Sequence, residues 1–156
     1  MAKAWKIPYL NSDQNLKICL PKILRTRFSE MNSYEKATIE GKNIEALHNM
    51  RVSSRRLQAV LKVFRAYFPP KKYKREYTRL RDLIRSLGEV RHIDVFIGQL
   101  ETYRDKLNEK EKKAIDMLIV RQNTLRTAKR RILFGYLKYL NKSGFKDKFT
   151  ELISTN

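Results

Sequence analysis

Residues 48–68, HNMRVSSRRLQAVLKVFRAYF, contain neither Gly nor Pro and carry two parallel seams at helical spacing. Leu47, Met50, Ser54, Leu57, Leu61, Phe64 and Phe68 step by three and four, the stripe that a helix buries against its neighbours. Shifted by one residue, the same steps give His48, Arg51, Arg55, Gln58, Lys62 and Arg65. At about 100° per residue, this second seam lies roughly a quarter turn from the first. The stretch therefore reads as one long helix with an apolar edge for a core and a cationic edge beside it. Basic residues next to an apolar seam are common on ordinary amphipathic helices, where their stems cover the core rim. Here, however, the counter-charge is missing: from Ala46 to Tyr67 there is no Asp or Glu. A solvated face usually mixes signs and gains from i,i+4 pairs, whereas Arg51 and Arg55 are like charges at that spacing and repel. Such a face fits an anionic partner.

The rest of the chain repeats this design. Residues 1–11 read as a tail that leans on the domain through Trp5, Ile7, Tyr9 and Leu10, and residues 12–156 as one helical domain. Ser12 and Asp13 are candidate caps, and Pro21 a kink or the first turn of a fresh helix. A first long helix is expected from Lys22 to about Glu40, closed by Gly41 at C′. Asn43 caps the second helix, which runs to Pro69–Pro70. A third, about Lys71 to Leu87, pairs the apolar seam Tyr73, Tyr77, Leu80, Ile84, Leu87 with the cationic seam Lys71, Lys74, Thr78, Arg81, Arg85. Gly88 is expected to break or bend the chain before a fourth helix to about Leu107. Asn108 and Glu111 form a capping box for a fifth, to about Asn141, carrying the basic cluster Arg121, Arg126 and Lys129. Gly144 separates a short last helix, 145–153. No strand pattern competes, so the expected fold is all-α, a bundle of five to six long amphipathic helices.

Composition bounds the partners. Lys and Arg outnumber Asp and Glu by 35 to 16, a net charge of +19, which speaks to partners rather than fold. Nucleic acid, an inorganic polyanion and an acidic membrane surface are the candidates. Gly (5) and Pro (4) are scarce, which favours long helices. Cys19 is alone, so no internal disulfide is expected. No window is apolar enough to span a membrane, and the opening MAKAWKIPYL has no continuous apolar core of a signal peptide; the expected compartment is the cytoplasm. His92 and Asp94, two apart on a helix, point away from one another, so no metal site is expected. No Ser or Cys stands at helical spacing beside His48 to serve as a catalytic nucleophile.

Two motifs carry a family resemblance. His48, Arg51, Val52, Arg55, Arg56 and Leu57 fit HxxRVxxRRL, and LRDLIRSLGEVRHIDVFIGQL at 80–100 follows with Leu80, Arg81, Leu83, Leu87, Gly88, Arg91, Asp94 and Val95. Together they resemble the CHAD domain, the conserved-histidine α-helical domain, over about residues 12–154. The resemblance implies a helical bundle that binds inorganic polyphosphate without catalysis or cofactor. It places the binding positions on His48, Arg51, Arg55, Arg56, Arg81 and Arg91; the helical wheel agrees except at Arg56, which falls away from the basic stripe. Where the family usually has Asp after the arginine matching Arg91, this chain has His92, and Asp94 at i+3 is expected to hold Arg91 instead. The family typically has two similar halves; this chain reads as one half-unit, whence the expectation of a homodimer.

The function expected from the sequence is thus polyphosphate binding along a groove shared by the second and third helices, lined by His48, Arg51, Arg55, Arg56, Lys62, Arg81, Arg85 and Arg91. Association with polyphosphate granules would follow. The alternative is a nucleic-acid-binding helical protein. Against it stand the missing helix-turn-helix and zinc signatures and the placing of Phe64, Phe68, Tyr73 and Tyr77 on core seams, which leaves no free aromatic platform.

Overall fold

The computed structural model describes residues 3–11, 13–41 and 43–154. The described chain forms six α-helices: α1 Leu16–Ser33, α2 Glu35–Glu40, α3 Ile44–Val63, α4 Pro70–Arg104, α5 Glu109–Lys142 and α6 Phe145–Ser154. It contains no strand, and none of its helices is long and apolar enough to cross a membrane.

Most helix ends follow from capping chemistry. The Asn43 side chain accepts a hydrogen bond from the Glu45 N–H at 2.8 Å, and Asn108 and Glu111 make the expected capping box. Gly41 and Gly144 take the left-handed φ values of 68° and 67° that end one helix and begin the next. Four expectations are corrected. The second helix stops short of Pro69–Pro70: α3 ends at Val63, and a 3-10 turn at Arg65–Tyr67 leads to the prolines. The first helix begins earlier: Asn15 is its cap, and Pro21 lies in the second turn, where it forfeits a single intrahelical bond. Ser12 lies outside the described residues. The expected continuation to Glu40 breaks at Tyr34 into the separate α2. The expected third and fourth helices are one, α4, which passes through Gly88 without interruption.

The core gathers Leu24, Phe28 and Met31 of α1, Leu47, Met50, Leu57 and Leu61 of α3, Leu80, Leu83, Leu87 and Val90 of α4, Leu133, Leu137 and Leu140 of α5, and α6. Phe28 stacks on Phe149 at 4.3 Å between ring centres. Ser54, on the inward seam, is buried because its hydroxyl donates to the Met50 carbonyl at 2.6 Å. Of Trp5, Ile7, Tyr9 and Leu10 only Ile7 is half-buried, and polar contacts tether the tail. The Trp5 N–H donates to Glu30 and Arg27 to the Trp5 carbonyl, while the Trp5, Tyr9 and Leu10 side chains stay exposed.

Helices α4 and α5 form a long antiparallel hairpin. The pairs Arg104–Asp116, Asp94–Arg126, Glu89–Lys129 and Arg79–Tyr136 step down it in register. At about 1.5 Å per residue the 35 residues of α4 reach roughly 52 Å. The shared core takes α4 only to Val90 and α5 only from Leu133. Beyond those points the two helices continue as an arm in which Ile93, Ile97 and Leu100 are the buried apolar residues.

Candidate functional site

The cationic seam of α3 meets α4 where Gly88 and Arg91 stand. The Arg51 side chain crosses α4 at Gly88; a Cβ there would lie 3.7 Å from Arg51 Nε, in ordinary van der Waals contact. His48, Arg51 and Arg91 are half-buried and Arg55 is exposed. Their charges act on one another. Burial, then Arg91, pushes the His48 imidazole below its ordinary value, against a smaller opposing effect of Glu45 and with a further push from Arg51. Burial, then Arg55 and Arg91, lowers the Arg51 guanidinium, which remains charged at any physiological pH. Among the described residues none of the four makes an ion pair, whereas Arg27, Arg56, Arg79 and Arg104 all do. His48 Nδ1 and Arg51 Nε are buried without a hydrogen-bond partner. The fold thus sustains a like-charged cluster with no paired carboxylate among the described residues.

The remaining candidates divide. Arg56 is drawn off: its guanidinium lies 3.0 Å from Glu30, a carboxylate only 1% exposed that Arg27 also holds at 2.7 Å. This is why the helical wheel and the family pattern disagreed there; Arg56 faces α1. Arg81 closes on its neighbour Asp82, with Nε and Nη2 at 3.2 and 3.1 Å from one oxygen. Arg85 and Lys62 are exposed and make no ion pair among the described residues. In the fifth-helix cluster, Arg121 is exposed, Arg126 lies 3.5 Å from Asp94, and Lys129 lies 2.9 Å from Glu89.

Asp94 therefore does not hold Arg91 as expected. The α4–α5 hairpin brings Arg126 to it from across the pair, and Arg91 acts on it only at longer range, after Arg126 and Arg130. Burial nonetheless pushes the Asp94 carboxyl up, and its Oδ2 has no partner. Through Asp94 the fields of Arg91, Arg126 and Arg130 overlap, so the secondary cluster adjoins the first rather than forming a separate patch.

Part of the α4 cationic seam faces α5. Lys71, Lys74 and Thr78 line an open cleft of ≈ 640 Å³ between α4 and α5, together with Tyr136 and Tyr139. The cause is that α4 packs on two sides: its Gly88 edge faces α3, while the lower part of its cationic seam turns toward α5. The signal was present in the sequence. A hairpin closing at residues 105–108 places residue 136 near residue 79, and Tyr136 does donate to the Arg79 carbonyl at 3.0 Å.

The sequence profile of the CHAD domain matches residues 22–156. The chain belongs to the CHAD-domain family. No curated protein matches it significantly. CHAD domains are known to bind polyphosphate. In this CHAD domain, the α3 motif residues His48, Arg51 and Arg55 and the α4 residue Arg91 fall together in space, whereas the motif residue Arg56 is turned to the buried Glu30.

Proposed function

We propose that this CHAD domain binds inorganic polyphosphate, without chemistry of its own, on the surface built around His48, Arg51, Arg55 and Arg91 and extended by the exposed Lys62, Arg81, Arg85 and Arg121. One observation carries the reading: four cationic or titratable side chains converge with no carboxylate paired to any of them. Polyphosphate is a flexible chain with about one charge per phosphate, and it gains most from a row of fixed guanidiniums. Arginine offers phosphate a two-pronged contact and lysine a mobile point charge. Release of counterions adds affinity, as for nucleic acids. The cluster offers neither nucleophile nor carboxylate pair, which supports binding rather than hydrolysis.

The deciding experiment is competition at fixed salt between long-chain polyphosphate and duplex or single-stranded nucleic acid. Polyphosphate should displace both, and Arg51→Ala with Arg55→Ala should abolish that preference. Equal competition by nucleic acid of matched charge would make the domain a general polyanion or nucleic-acid binder instead.

A further inference from the structure

The α4–α5 cleft has a chemistry that polyphosphate alone does not use. Lys71, Lys74, Arg75 and Arg79 form its cationic side. Beneath them lies Glu76, fully buried, which accepts from Arg75 Nε at 2.5 Å and Arg79 Nη1 at 3.2 Å. One carboxylate shared by two guanidiniums leaves that wall positive and fixes where the guanidiniums stand. Lys71 and Lys74 make no ion pair among the described residues, unlike Lys72 between them, whose Nζ lies 2.6 Å from Glu151.

The opposite wall is aromatic. Tyr136 is locked by its hydroxyl on the Arg79 carbonyl, and burial pushes its phenol up to about 12, so it stays a donor. Tyr139 is not locked in this way: its ring leans on Tyr136 at 5.8 Å between centres and is 51% exposed. Asp82 closes the end of the lining away from Lys71, with its Oδ1 taken by Arg81. Cations on one wall and an exposed ring on the other match a ligand that carries phosphates and a flat base. An aromatic face adds affinity for any base by stacking.

We propose that the α4–α5 cleft is a nucleotide site, separate from the polyphosphate surface, which takes a free nucleoside di- or triphosphate with its phosphates on Lys71 and Lys74 and its base on Tyr139. The site uses none of the α3 residues, so it stands or falls independently of polyphosphate binding.

The test is calorimetric titration of the full chain with ADP and with pyrophosphate, which supplies similar charge without a base. ADP should bind roughly tenfold tighter, within the range that base stacking adds. Tyr139→Ala should erase that margin while leaving pyrophosphate affinity unchanged, and Tyr139→Phe should keep it. Lys74→Gln should weaken both ligands. The margin should survive Arg51→Ala with Arg55→Ala, whatever those substitutions do to polyphosphate. Tyr139 is exposed, so its truncation should leave the circular dichroism of the fold unchanged. Equal affinities for ADP and pyrophosphate, or a margin that persists in Tyr139→Ala, overturn the proposal. A short single-stranded oligonucleotide that binds the cleft where ADP does not overturns the assignment to a free nucleotide.

Discussion

His48 is the one residue of the cluster whose charge changes near neutral pH. Burial first, and Arg91 second, hold its proton affinity below the ordinary 6.5. A cationic group depressed on folding is protonated first in the unfolded chain as pH falls. Its contribution to stability is therefore present above the ordinary value and is lost as pH drops from there toward the folded value. A bound polyanion reverses the local field and favours the imidazolium. Polyphosphate binding should thus take up a proton and tighten as pH falls from neutrality through the ordinary imidazole value of 6.5, and His48→Gln should flatten that profile; long chains keep the ligand's terminal phosphates from contributing. An unchanged slope in His48→Gln would remove His48 from the site. The two arginines that the family pattern places alike should also separate. Arg51→Ala removes a like charge and an unpaired buried nitrogen, so affinity should fall by roughly 1–3 kcal/mol with no loss of thermal stability. Arg56→Ala strips one partner from the buried Glu30, so stability should fall by about 1–3 kcal/mol with affinity little changed; chemical denaturation and titration on the same preparations check both. The seam at His48, Arg51 and Arg55 was legible because it is a property of one helix. The fate of Arg56 was not, because it depends on a glutamate twenty-six residues away.

At the scale of the element, Gly88 shows how a local rule misleads. Glycine inside a helix costs about 1 kcal/mol relative to alanine, which is why the sequence reading placed a break there. Yet the apolar seam runs on without a phase shift through Leu80, Leu83, Leu87, Val90, Ile97 and Leu100, all buried. Packing on both α3 and α5 outweighs the propensity. The true stops were the legible ones: Pro69–Pro70 ahead of α4, and Asn108 with its capping box behind it. In the short tail, Trp5 is placed by backbone contacts with Glu30 and Arg27, which no apolar spacing encodes. Gly88→Ala should raise stability by about 0.5–1 kcal/mol, since the new methyl group sits at ordinary contact distance from Arg51. Gly88→Leu should keep the helix but push Arg51 off the α4 surface, weakening polyphosphate binding. Thermal melts and titration of the two variants separate helix propensity from the space that Arg51 needs. If Gly88→Leu binds as well as Gly88→Ala, the crossing of Arg51 over α4 does not matter to the ligand.

At the scale of the molecule, no third element among the described residues covers the arm formed by α4 and α5. Val95, Phe96 and Tyr103 of α4 and Met117, Val120 and Leu125 of α5 are exposed along it, more apolar surface than scattered single residues account for. Charge also distinguishes this region. In a chain of net charge +19, residues 101–116 balance five acidic side chains (Glu101, Asp105, Glu109, Glu111, Asp116) against five basic ones (Arg104, Lys106, Lys110, Lys112, Lys113). Two copies repel over most of their surfaces but not at this end of the arm. Self-association through the arms as a two-fold dimer is the expected outcome, with the same patch used by both copies. Light scattering in high salt, where repulsion is screened, should give twice the 18.6 kDa chain mass. Val95→Asp with Met117→Asp should return it to the single-chain value without loss of helix, because both side chains are exposed. A dimer carries two clusters, so a polyphosphate chain long enough to reach both should bind far more tightly than a short one, and the Asp variants should lose that length dependence while retaining short-chain affinity. A mass near 18.6 kDa at micromolar concentration, unchanged by polyphosphate, would mean that the arm does not dimerise and that one cluster works alone.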